Sequence, residues 1–240
     1  MAKLLVWLFA AGKLGMMLKT GGIMLISVFA YALVYGWWYA VGFVLLIFFH
    51  EMGHYFAARN RGLDVGLPMF IPFVGAWVTL KDMPHNAHTE AYVGFAGPLA
   101  GTLASIACYW IARTTDSHLM LALAYAGFLL NLINLIPVSP LDGGRITAII
   151  SPKVWLFGLP LLVALYFYTF SPMLILVGIF AIPNIMAALK QDGGASDMPP
   201  GYYDVPLNVR VNYAMFYLGL AGFLAVMSYE IHKTLGPYSA

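Results

Sequence analysis

The stretch FFHEMGHYFAARNRG, Phe48–Gly62, ends a long apolar run with two histidines and a glutamate, side chains that a lipid-facing helix does not carry. His50 and His54 are four apart, so on a helix both imidazoles project from one face and can hold one zinc ion. Glu51 follows the first of them, where a carboxylate serves as general base toward water. Gly53 keeps that turn slim. The chain has only three glutamates and six histidines, so an H-E-x-x-H at the end of an apolar run is a specific signal. The plain alternative is a polar pair that packs helices together, which ionisable groups within apolar spans seldom do.

Working outward, 62% of the 240 residues are hydrophobic and 9% charged, with a mean hydropathy of +0.83, far from the range of soluble domains. The sequence therefore predicts an integral, multi-pass membrane protein in a lipid bilayer. Apolar runs at about 21–35, 37–58, 90–112, 118–136, 154–169, 172–189 and 211–232 give about six or seven transmembrane helices in one membrane-embedded domain over 1–240. Residues 1–20 read as an interfacial helix and 191–210 as a cytoplasmic linker before the last helix. The net charge of +2 excludes a nucleic-acid partner. With a cytoplasmic N-terminus, ten of the twelve lysines and arginines fall on the cytoplasmic side and only Arg113 and Lys233 outside. Cys108 has no second cysteine with which to form an internal disulfide.

Two stretches do not read as spans. Residues 64–82, DVGLPMFIPFVGAWVTLKD, combine Pro68, Pro72 and Gly75 with β-branched and aromatic residues, which predicts a re-entrant β-hairpin beside a cavity. In NLINLIPVSPLDGGR, Asn131–Arg145, Pro137 and Pro140 break a helix and place Asp142 before two glycines. Catalytic zinc takes three protein ligands and leaves a fourth position open, and Asp142 is the best candidate for the third. Its alternative role is N-cap of a helix starting near Gly143. Asn131 is expected to bond the free carbonyls of the broken turn. His85 and His88, near Glu90, are a weaker candidate for a second metal, since a solvated loop accounts for them equally well. Gly94, Gly97 and Gly101, with Ala96, Ala100 and Ala104, form a small-residue face on which the HEMGH helix can pack.

HEMGH in one helix and PLDGG in a later one, with IPFVGAWV and EAYVGFAGPLAG between them, resemble the site-2 protease family of membrane-embedded zinc metalloproteases, from about Val41 to Ile150. The resemblance implies zinc held by His50, His54 and Asp142, with Glu51 as catalytic base. It implies that Asn134 lies near the zinc, contacting substrate or the oxyanion, and that the Leu67–Leu80 hairpin, with Pro72, Gly75, Ala76 and Val78, guides an extended substrate strand. The implied substrate is the transmembrane segment of another protein, met by a site that opens toward the cytoplasm of a prokaryotic inner or cell membrane. Many relatives carry a PDZ or CBS domain, and 240 residues leave room for neither. The rival from another class is a metal or proton transporter using the same intramembrane ligands, which would place polar residues in both halves of the membrane.

Overall fold

A computed structural model describes residues 20–73, 75–170, 172–189 and 198–236. The chain is mostly helical: α1 (Thr20–Tyr35), α2 (Trp37–Asn60), α3 (Ala87–Thr115), α4 (His118–Asn134), α5 (Asp142–Thr147), α6 (Trp155–Thr169), α7 (Pro172–Leu189) and α8 (Leu207–Leu235). A two-stranded antiparallel hairpin, β1 (Met69–Ile71) and β2 (Gly75–Trp77), interrupts it after α2. Among the described residues only α2, α3 and α8 are long and apolar enough to cross a membrane, whereas α1, α4, α6 and α7 are apolar but shorter. Bare apolar side chains such as Trp38, Leu33 and Phe157 cover the outside, a surface that suits lipid and not water.

α1 and α2 are joined by Gly36 alone, whose φ of +83° ends one helix and starts another at an angle. The face they share packs Val28, Tyr31, Val44 and Ile47 around Phe70 of β1, which moors the hairpin to the motif helix. Beyond β2, Gly66 N–H donates to the Thr79 carbonyl at 2.9 Å and Lys81 N–H to that of Asp64 at 3.0 Å. Residues 79 and 81 thus face the first strand, and alternation turns the backbone groups of Ala76, Val78 and Leu80 to the outer edge. At the hairpin's base Lys81 pairs with Asp64 at 3.0 Å in the open.

The helix break falls where the prolines predict, between Asn134 and Asp142, with Ser139–Pro140 cis. The two glycines after Asp142 have a packing reason: a Cβ on Gly143 would overlap the Leu135 and Ile136 carbonyls, and one on Gly144 the Val138–Ser139 backbone. Donors from elsewhere in the chain reach carbonyls on either side of this break. Tyr217 Oη of α8 donates to Leu135 at 2.6 Å, Trp155 Nε1 to Gly144 at 2.9 Å and Arg210 of α8 to Ile150 at 3.0 Å.

The expected linker over 191–210 needs correction. α8 starts at Leu207, and residues 198–206 are not a loose tether. Tyr202 is buried, its carbonyl accepts from Ala87 N–H at 3.0 Å, and its hydroxyl donates to Glu90 at 2.8 Å. Burial, reinforced by Glu90, pushes the neighbouring Tyr203 hydroxyl up to about 12. Arg210 also donates to the Tyr203 and Val205 carbonyls. The interfacial helix expected over 1–20 lies outside the described residues, apart from Thr20, which opens α1.

Candidate metal centre

α2 is unbroken through HEMGH, so His50 and His54 emerge one turn apart on one face, at 3% and 5% exposure. Asp142 occupies the first helical position of α5, and Leu141 takes the N-cap place, which corrects the capping alternative. Its carboxylate instead meets both rings: Oδ2 lies 3.0 Å from His50 Nε2, Oδ1 3.2 Å from His54 Nε2, and the two Nε2 atoms are 3.1 Å apart.

The ring orientations follow from what stands behind them. His54 Nδ1 lies 2.8 Å from the Val93 carbonyl, which can only accept. His50 Nδ1 lies 2.8 Å from Asn131 Oδ1, and Asn131 Nδ2 donates to Gly127 O at 2.7 Å, which fixes the orientation of the amide. Both Nδ1 atoms therefore carry a proton, which leaves both Nε2 atoms facing the carboxylate as the ones able to offer lone pairs to a metal. Lone pairs so arranged repel one another unless a cation sits among them. Four ligands at about 2.0–2.1 Å on a tetrahedron stand about 3.3 Å apart, close to the spacing here, so the donor set fits one zinc ion. Among the described residues these three form the one His/Cys/Asp/Glu group able to hold a metal ion.

α3 provides the bed. A Cβ on Gly97 would overlap the His54 ring, one on Gly101 the Asn131 carboxamide, and one on Gly53 of α2 the Ala96 carbonyl. The small-residue face expected on α3 thus serves the ligands themselves as well as the helix contact.

The cluster opens into a cavity of about 680 Å³, lined also by Glu51, Asn134, Gly75, Ala76, Val78, Leu80 and Arg145. Glu51 is 5% exposed, with Oε2 lacking any partner. The backbone N–H of Val78 reaches the same carboxylate. Of the residues read from the sequence, Pro72 is not on the cavity wall but in the hairpin turn. His85 and His88 do not join a metal group, and His88 packs edge-on against the Tyr213 ring. Asn131 does not bond the carbonyls of the broken turn: its amide donates to Gly127 O inside α4, and its oxygen orients His50. The signal for it was a carboxamide within an apolar stretch four residues after a glycine, since a buried amide requires a partner for its oxygen too.

Residues 38–117 match the profile of Peptidase family M50. A zinc metalloprotease of Methanocaldococcus jannaschii is 34% identical over 124 residues, covering 48% of this chain and 36% of the relative. A probable chloroplastic zinc metalloprotease of Arabidopsis thaliana is 23% identical over 153 residues, covering 44% of this chain and 28% of its own. The chain thus spans about a third of the length of the curated relatives it matches. The solved site-2 protease from Methanocaldococcus jannaschii aligns with 70% of this chain and 86% of that one at 21% identity, with a TM-score of 0.47.

Proposed function

We propose, from the match of residues 38–117 to the profile of Peptidase family M50, that this chain is a member of that family and an intramembrane zinc metalloprotease that hydrolyses a peptide bond in or near the transmembrane segment of another membrane protein. One observation carries the reading: the converging lone pairs of His50, His54 and Asp142 share a cavity with a buried Glu51 oxygen that has no partner. When bound, zinc supplies the Lewis acid that polarises water and the scissile carbonyl. Glu51 takes the water proton and returns it to the leaving amine, a role that needs a carboxylate oxygen free of other partners. Asn134 lines the cavity and is assigned the carbonyl oxygen of the substrate, which its amide can polarise by donation.

A helical substrate hides its carbonyls, so it must unwind before it is cut. The outer edge of β2 supports a place for the freed strand, since Ala76, Val78 and Leu80 turn backbone groups outward and also line the cavity. Val78 N–H faces Glu51, which leaves the N–H groups of Ala76 and Leu80 as the edge donors beside the site. The four shorter apolar helices complete the membrane domain around α2, α3 and α8. The charge asymmetry supports an opening toward the cytoplasm, in a prokaryotic inner or cell membrane.

The test is cleavage of a transmembrane substrate by purified protein in detergent. Glu51→Gln is expected to keep its metal and lose cleavage by a factor of about 10²–10⁴. Ala76→Pro, which removes an edge donor and no ligand, is expected to abolish cleavage at unchanged zinc content. Near wild-type cleavage by Glu51→Gln refutes the mechanism, and the same result with Ala76→Pro refutes strand addition at β2.

A further inference from the structure

One charged side chain on the cavity wall has no part in the chemistry above. Arg145 stands one turn beyond Asp142 on α5, half-buried, and lines the same cavity. Helical positions three apart share a face, with Cβ atoms about 5–6 Å from each other. The guanidinium therefore leaves α5 on the side of the metal ligands. Its stem is held against α3, since Arg145 Cβ lies 3.2 Å from the place a Cβ on Gly94 would take.

Its head is not held. Among the described residues the ion pairs join His50 and His54 to Asp142 and Lys81 to Asp64, and no hydrogen bond reaches the Arg145 side chain, whose charge is felt at the Tyr202 hydroxyl without a bond to it. Glu90, one turn before Gly94 on α3, already accepts from the Tyr202 hydroxyl. Three of the other four arginines are engaged: Arg210 holds three backbone carbonyls, Arg61 lies over the Tyr92 ring and Arg59 over that of Tyr55. A guanidinium facing a largely apolar wall strongly favours an anion, and its planar fork of N–H groups matches a carboxylate through two parallel bonds. Exclusion of water from such a wall strengthens the attraction.

We propose that Arg145 forms a carboxylate-binding subsite beside the metal, and that the chains this cavity accepts carry a carboxylate within a few residues of the bond presented to Glu51. The carboxylate is an Asp or Glu side chain or a free C-terminus. The cutting step rests on the hydrolase reading; the binding step does not.

The probe is a labelled leucine–alanine transmembrane peptide in detergent micelles. It is made with one Glu at each of about six successive positions, with matching Gln twins, and with the C-terminus free or amidated. Binding by fluorescence anisotropy and cleavage are measured separately, on wild type, Arg145→Gln and Arg145→Lys, each with its zinc content determined. At one or two positions wild type is expected to bind the Glu peptide at least about tenfold more tightly than its twin, about 1.4 kcal/mol. The ratio is expected to fall to about one in Arg145→Gln and to be partly kept in Arg145→Lys, which has the charge without the fork. A preference set by Glu position supports a side-chain carboxylate, and one confined to the free C-terminus supports a terminal carboxylate.

Equal binding of all twins and of both C-termini by wild type overturns the proposal. A preference that survives Arg145→Gln overturns it as well. If Arg145→Gln lowers cleavage of both twins equally while their binding ratio is unchanged, the side chain serves the reaction centre and the carboxylate subsite is wrong. If Arg145→Gln does not fold, the wild-type ratio and its reduction in Arg145→Lys decide. A wild type that shows the binding ratio but cuts no peptide overturns the hydrolase reading and leaves the subsite standing.

Discussion

The metal group is held by two regions built in opposite ways. α2 presents His50 and His54 from one unbroken helix, so their spacing is a property of the helix and is written within five residues. Asp142 stands on a six-residue helix after a break, and its place depends on donors from elsewhere: Trp155, and Tyr217 and Arg210 of α8. A rigid element needs only a bed to lie on; a broken one needs external partners for its exposed carbonyls. The first region is therefore vulnerable to crowding and the second to the loss of distant hydrogen bonds.

Crowding the first region should have the largest effect. Gly97→Ala places a methyl where the His54 ring lies, and the ring has Val93 behind it. Overpacking costs about 1–3 kcal/mol on its own. Displacement of the ligand is expected to lower zinc affinity more than 100-fold, beyond what loss of an outer-sphere partner produces. Competition titration with a chromophoric chelator measures it, and wild-type affinity in Gly97→Ala would mean that α2 is not seated as described. Next in size is Asn131→Ala, which leaves the His50 ring free to turn and its Nδ1 proton unpaired. It is expected to lower zinc affinity about 10–100-fold. In the same titration Asn131→Asp should recover part of the loss, since a carboxylate still accepts from Nδ1.

These two expectations show how far the site was legible. HEMGH and PLDGG could be read because their chemistry is local: ligand spacing follows from helix geometry, and a proline-broken apolar helix ending in an acid has few structural uses. The hairpin was legible from Pro72 and Gly75 among β-prone residues for the same reason. Asn131 was not, because its partner is 81 residues away and only the packing of α4 against α2 decides which polar neighbour its oxygen meets. Nor was the seating of the Asp142 segment, whose hydroxyl, indole and guanidinium partners lie between 11 and 82 residues away and leave no periodic trace. Helix length was the other limit: hydropathy marks apolar runs, yet among the described residues α2, α3 and α8 are the helices both long and apolar enough to cross a membrane.

Loosening the second region should have the smallest effect and sharpen the comparison. Tyr217→Phe removes one hydrogen bond, leaves the Leu135 carbonyl unpaired, and is expected to cost about 1–3 kcal/mol of stability. Zinc affinity should fall only a few-fold, since Trp155 and Arg210 still hold the segment. Cobalt(II) in place of zinc should show an altered visible spectrum in Tyr217→Phe if the ligand shifts, a change that general destabilisation does not produce. An unchanged spectrum and affinity would mean that Tyr217 has no part in placing Asp142.

The most direct test of the account is metal stoichiometry with X-ray absorption at the zinc edge, on wild type, His50→Ala and Asp142→Ala. The account predicts about one zinc per wild-type chain, bound by nitrogen and oxygen only, with the scattering pattern of two imidazoles, and strong depletion in both variants. Zinc bound through sulfur, or full zinc content in Asp142→Ala, would contradict it.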